Sequence, residues 1–126
     1  MKYLIDCMYL LGLAAVTPKM LYRVTVHNRY RTGWAQRLGR LQRRRPQDPC
    51  IWIHAVSVGE VNATRTLVRT LQQRRPDCEI VISATTDTGL ARARALYAEQ
   101  YEVFYYPFDL SCVVARALRR LRPNVI

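Results

Sequence analysis

The chain has 126 residues, half of them apolar, which suffices for one domain built round one core. Its formal charge of +11 implies attraction to polyanions, whether nucleic acid, anionic lipid headgroups or a phosphorylated substrate, and does not choose among them. Cys7, Cys50, Cys78 and Cys112 lie far apart without a CxxC pair. With only His27 and His54 to join them, no ligand set has zinc spacing, so free, buried thiols in a reducing compartment are expected, and no metal.

The first segment, "YLIDCMYLLGLAAV" (3–16), is apolar apart from Asp6. It falls short of the roughly 20 residues that span a bilayer, and extending it puts Lys19 and Arg23 inside. A cleaved signal peptide fits poorly, because Asp6 stands where a positive region belongs, although Ala14-Ala15-Val16 leaves that option open. The following "YRVTVHNRYRTGWAQRLGRLQRRRP" is rich in arginine and has no acid. Beside an apolar helix it would keep that side of a membrane cytoplasmic, each basic residue adding about 1 kcal/mol of attraction to an anionic surface. The expectation is a membrane-associated apolar helix region over 1–26, a basic linker over 27–49 and a folded body over 50–126. A core helix of a soluble domain is the alternative for the first segment.

From Cys50 the pattern alternates. "CIWIHAV" is a short apolar, β-branched run and reads as a strand buried on both faces. "EVNATRTLVRTLQQRRP" follows with Val61, Thr64, Leu67, Val68 and Leu71 at helical spacing and Pro76 beyond the end. "EIVISA" is a second strand, and "DTGLARARALYAEQY" a second helix with Leu90, Ala93, Leu96 and Tyr97 on its apolar side. "EVFYY" is a third strand stopped by Pro107. "DLSCVVARALRRLRP" is a third helix, with Asp109 as N-cap and Val113, Val114, Ala117, Leu118 and Leu121 on one side. "NVI" begins a fourth strand, at which the chain stops, so it is expected to be a fragment. Strands separated by single helices imply a parallel sheet: an α/β, Rossmann-like, doubly wound domain with helices on both faces.

In such sheets sites lie beyond the carboxyl ends of the strands. Those ends are "SVGE", "TTDTG" and "PFD", which converge on one rim. Glu60 opens the first helix there. The helix N-terminus favours a negative charge at that place, which suits Glu60 to accept a proton from a hydroxyl; merely complementing the helix dipole explains the residue too. Gly59 lets a substrate approach the backbone closely. Ser57 can cap the helix or contact a ligand, while a nucleophilic role lacks a His–acid pair of recognisable spacing. Thr85, Thr86 and Thr88 offer hydroxyls and backbone N–H groups to a phosphate or sugar, although a tight turn with Asp87 capping the helix accounts for the same residues. His54 reads as a satisfied core histidine, and "YYPFD" as structural. GxGxxG and GxxxxGK[ST] are both missing, so any nucleotide must be held by another domain.

"RLG" (37–39), "IWIHAVSVGEV" (51–61), "ISATTDTG" (82–89) and "YYPFDL" (105–110), in that order and spacing, resemble the N-terminal domain of 3-deoxy-D-manno-octulosonic acid (Kdo) transferases. The apolar start and basic stretch fit as well, so the resemblance covers essentially the whole chain. It implies a two-domain GT-B glycosyltransferase at the cytoplasmic face of the bacterial inner membrane. Such an enzyme moves Kdo from CMP-Kdo to the lipid A precursor (lipid IVA) in lipopolysaccharide synthesis, with inversion and without a metal or other cofactor. Its N-terminal half takes the acceptor, and the Glu of the SVGE motif is the general base, a role that falls on Glu60. In the family an acidic, Trp-containing segment and the nucleotide-sugar domain follow the position of Ile126. This chain alone is therefore expected neither to bind CMP-Kdo nor to be active.

Another class competes: a basic, membrane-associated binding module without catalysis, docking anionic lipid through Arg31, Arg37, Arg40 and Arg43 to Arg45. Nucleic acid is not expected as a partner, because the aromatics do not interleave the arginine runs and offer no stacking platform.

Overall fold

The computed structural model describes residues 7, 8, 10–12, 14, 15, 17, 18, 32–42, 44 and 48–126. Most of the expected membrane-associated region 1–26, and His27, Arg31, Arg43 and Arg45 of the basic stretch, lie outside the described residues. Those described between 7 and 18 have helical backbone and are exposed. Among the described residues no helix is long and apolar enough to cross a membrane.

The ordered elements are α1 (Trp34–Arg37), β1 (Cys50–Ala55), α2 (Val58–Arg74), β2 (Glu79–Ala84), α3 (Asp87–Tyr97), β3 (Glu102–Tyr105) and α4 (Ser111–Leu121). Strand and helix periods were therefore read correctly, and β2 has the predicted bounds. The third helix starts later than predicted. Phe108 N–H is bound to the Arg37 carbonyl and Leu110 N–H to the Phe108 carbonyl, so the chain turns once more after Pro107. The first helical acceptor is then Leu110, the N-cap, and Asp109 does not fill that position.

The three strands form a parallel sheet in the order β1-β2-β3, with Ile53 opposite Ile82 and Ser83 opposite Phe104. Parallel strands covered on both sides need apolar residues at consecutive positions. Accordingly, β2 is exposed only at Glu79 and buried at the other positions. One face of the sheet (Ile53, Ala55, Ile80, Ile82) packs on Val61 and Val68 of α2 and on Ala93 and Tyr97 of α3. The other face (Cys50, Trp52, Val81, Phe104) packs on Leu41 and on Ala117 and Leu121 of α4. Each fully buried Ile or Phe contributes about 1.5–3 kcal/mol by leaving water. The helical stripes are narrower than predicted: Leu67 is 50% exposed and Leu118 36%, because both lie at the margin of their apolar faces.

After α4 the chain returns to the free edge of β1. Trp52 N–H donates to the Val125 carbonyl at 2.9 Å, Cys50 N–H donates to Asn124 Oδ1 at 2.8 Å, and Ile51 and Val125 form a parallel bridge. The predicted fourth strand thus begins beside β1, on the side away from β2. Strand order reverses at β1, which makes its carboxyl end the topological switch point, where open α/β sheets bind ligands.

Parts of the basic stretch pack into the fold, at Arg37, Gly39, Leu41 and Arg44. Trp34–Arg37 caps the edge of β3, with Gln36 Oε1 accepting from Tyr105 N–H at 3.0 Å, which covers an otherwise open strand edge. Arg37 and Arg44 are only 4% and 8% exposed. Docking of these two on lipid is thereby corrected, because their guanidinium groups have protein partners inside the fold. Arg40 is exposed. All four cysteines are free. Cys50 is buried, Cys78 half-buried, and Cys7 and Cys112 exposed, so the expectation of buried thiols holds for Cys50 alone.

Candidate active site

β1 ends at Ala55, and the chain turns into α2 through Val56 and Ser57. Glu60 stands three residues after the N-cap Ser57, on the first turn of α2, and is exposed. Its carboxylate folds back over the turn, where Oε2 accepts from Val56 N–H at 2.8 Å and Oε1 from the Ser57 hydroxyl at 3.4 Å. This is a variant of the capping box, in which an acid at the third helical position satisfies backbone donors ahead of the helix. The same contacts hold the carboxylate at the strand's carboxyl end, facing solvent.

The other predicted residues divide. Ser57 is the N-cap by position, yet its side chain makes no capping bond and serves Glu60 instead. Gly59 lies inside the helix without a left-handed backbone, and a Cβ there would meet only Ser57 Oγ, at 3.9 Å. Gly59 makes no bend, and what it leaves is open space beside Glu60. Thr86, not Asp87, caps α3: its hydroxyl accepts from Gly89 N–H at 3.0 Å. The Thr86 hydroxyl also donates to the Val56 carbonyl at 3.1 Å, which ties this turn to the Glu60 turn. Thr85 is half-buried, and its hydroxyl lies 3.5 Å from His54 Nε2. Thr88 is exposed on the first turn of α3.

Several residues that position this rim carried no functional expectation. A Cβ on Gly89 would lie 2.8 Å from Thr86 Oγ1 and 3.1 Å from the Val56 carbonyl, so only glycine lets the two turns meet. His54 is satisfied, as expected of a core histidine. Nδ1 lies 3.0 Å from Ser83 Oγ, which also accepts from Trp52 Nε1, and the ring stacks on Tyr106 at 4.0 Å. That stack joins the third loop to β1. Burial, partly offset by the Ser83 contact and by the negative charges of Glu60 and Asp109, lowers its pKa. Asp87, freed from capping, accepts from the Tyr105 hydroxyl at 3.0 Å and pairs with Arg37 at 3.5 Å. The signal in the sequence for that pairing was the arginine-rich stretch itself, which had to supply the counter-charges for acids placed at strand ends. Among the described residues no cluster of three or more His, Cys, Asp or Glu could hold a metal ion.

Three loops thus meet at the switch point, where the carboxylates of Glu60 and Asp109 are both exposed. Residues 32–126 match the family of 3-deoxy-D-manno-octulosonic-acid transferases (kdotransferases). The chain belongs to that family. Over 125 residues it is 33% identical to a 3-deoxy-D-manno-octulosonic acid transferase of Chlamydia muridarum, an alignment that takes in 98% of this chain and 29% of that one. A transferase of the same description from Chlamydia trachomatis serovar D is 31% identical over 86% of this chain and 26% of its own length. One from Haemophilus influenzae is 37% identical over 77% and 23%. The chain therefore spans less than a third of the length of these Kdo transferase relatives. No solved structure matches it.

Proposed function

We propose that this chain is the acceptor-binding, base-supplying part of a GT-B Kdo transferase that moves Kdo from CMP-Kdo to a lipid A precursor at the cytoplasmic face of the inner membrane. The observation that carries the reading is Glu60, an exposed carboxylate fixed at the switch-point end of β1 by Val56 N–H. An acceptor hydroxyl lying against the carboxylate would give its proton to Glu60 as its oxygen bonds to the anomeric carbon of Kdo. The bond from that carbon to the phosphate oxygen of CMP breaks, and its electron pair leaves with CMP. Attack from the face opposite the leaving group inverts the centre. Thr88 offers an exposed hydroxyl to the acceptor's sugar and phosphate oxygens, while Ser57, Thr85 and Thr86, whose hydroxyls serve Glu60, His54 and the Val56 carbonyl, shape the surface beside it and Gly59 leaves room. The formal charge of +11 suits a phosphorylated lipid. In this reading CMP-Kdo is taken by a second domain.

The test is Glu60→Gln in a protein that joins this chain, in place of its Chlamydia muridarum counterpart, to the rest of that transferase. The amide oxygen can still accept from Val56 N–H, so the turn survives while the base is lost. Transfer from CMP-Kdo to lipid IVA should fall about 10²–10⁴-fold with an unchanged melting temperature. Near-normal turnover removes Glu60 from the chemistry and leaves the non-catalytic membrane module as the better reading.

A further inference from the structure

We infer that Arg37 is a positioning residue: it clasps the Thr85–Thr88 turn from below and sets how tightly the acceptor is held, without taking part in proton transfer at Glu60. This rests on the reading of that turn as part of the acceptor site. Arg37 ends α1 and is 4% exposed. Its Nη2 donates to the Thr85 carbonyl at 3.2 Å and approaches Asp87 Oδ1 at 3.5 Å. Its guanidinium lies over the Tyr105 ring, 4.1 Å from the centroid, and the Tyr105 hydroxyl donates to the same Asp87 oxygen at 3.0 Å. The Arg37 carbonyl meanwhile accepts Phe108 N–H at 2.8 Å from the third loop. One residue thus binds two of the three rim loops, one through its side chain and one through its backbone.

The approach is made possible by Gly33 at the start of α1. Its φ of +80° lies in the left-handed region, and a Cβ there would fall 1.9 Å from the Tyr105 ring. A planar cation suits the place, since guanidinium stacks on an aromatic face while its edge serves a carbonyl and a carboxylate; an ammonium cannot do all three. Glu60 is held by Val56 N–H and the Ser57 hydroxyl, whereas Arg37 holds the Thr85 carbonyl, Asp87 and Phe108 N–H. The clasp therefore acts directly on the turn we assign to acceptor binding and reaches Glu60 only through the Thr86–Val56 bond.

The test uses Arg37→Lys and Tyr105→Phe in the joined transferase, with the same substitutions in the 126-residue chain for amide exchange. Arg37→Lys should raise KM for lipid IVA at least tenfold, with kcat within twofold and KM for CMP-Kdo unchanged. Tyr105→Phe, which keeps the ring and loses only the hydroxyl, should raise it about threefold. Exchange at residues 85–88 should quicken at least tenfold while β1 and β2 amides hold their rates. A fall in kcat at constant KM, an equal loss in every parameter, or exchange that quickens uniformly would overturn the positioning role, as would no change at all. If the unmutated joined protein transfers no Kdo, the functional reading fails. Exchange at the turn still decides separately whether Arg37 clasps it.

Discussion

Arg37 and Arg44 come from one acid-free stretch, are both buried, and end at opposite edges of the same sheet. Arg44 closes the amino-terminal edge: its guanidinium pairs with Glu79 at the start of β2 and donates to the Leu121 carbonyl at 3.1 Å and the Asp48 carbonyl at 3.3 Å. It joins the beginning of a strand to the end of α4 and to the segment that leads into β1, away from the rim loops. The contacts of Arg37 go instead to the turns of the rim. The same residue type, buried to the same degree, is a staple for the core at one end and a support for the site at the other. The difference lies in what the partner acids belong to. Glu79 belongs to a strand, whereas Asp87 opens a helix beside an exposed turn. The groove of about 580 Å³ lined by Leu118, Arg119, Arg120 and Arg122 also belongs to the Arg44 edge, far from the loops that carry Glu60.

If that contrast is right, Arg44→Ala is the most damaging change of stability. It strands two carbonyls and the Glu79 carboxylate, and removing one partner of a buried ion pair costs about 3–5 kcal/mol. The lower end is expected because the Glu79 side chain is 44% exposed. The built-in reporter is Cys50, whose thiol burial pushes up to about 11 against the pull of Arg44. Labelling of Cys50 by a thiol reagent should be roughly 100-fold faster in Arg44→Ala, since about 1.4 kcal/mol is a factor of ten in the open population. Exposed Cys112 should react at an unchanged rate. Slow labelling of Cys50 in the variant would make the two arginines alike.

Gly89→Ala sharpens the contrast from the rim side. The new Cβ meets Thr86 Oγ1 and the Val56 carbonyl, and overpacking against backbone costs about 1–3 kcal/mol, reduced by about 1 kcal/mol of gained helix propensity. Kdo transfer by the joined protein should therefore fall well beyond what its small loss in denaturation midpoint explains.

The smallest effect concerns His54. Its folded pKa lies below the ordinary histidine value near 6.5, chiefly through burial, so the unfolded chain takes up the proton first as pH falls. The histidine contributes no pH dependence to stability above about pH 7.5 and destabilises the fold progressively below about 6.5. His54→Gln should flatten the urea midpoint between pH 7 and 5.5, and an unaltered slope would assign it to the carboxylates.

The comparison also shows how far the linear sequence could be read. Strand, helix and sheet were legible because their signals are local: "CIWIHA" and "EIVISA" are runs that only a doubly covered strand accommodates, and Val61 and Val68 recur at helical spacing. Placing "SVGE" and "TTDTG" on one rim followed from parallel topology alone. Assigning caps was less secure, since Thr86 and Asp87 are both good caps and the choice went to the residue that could also reach Val56. Gly59 and Gly89 looked equally free in the sequence, yet one faces open space and the other a backbone carbonyl.

By itself the sequence determined the alternation of elements, the rim on which an acid would stand, and the resemblance to Kdo transferases, since each depends on neighbours along the chain. Which arginines leave water, and for which acids, was decided only by the tertiary structure. A buried cation is tolerable where carbonyls and a carboxylate from distant segments converge on it, and for Arg37 those partners lie 48 and 50 residues away.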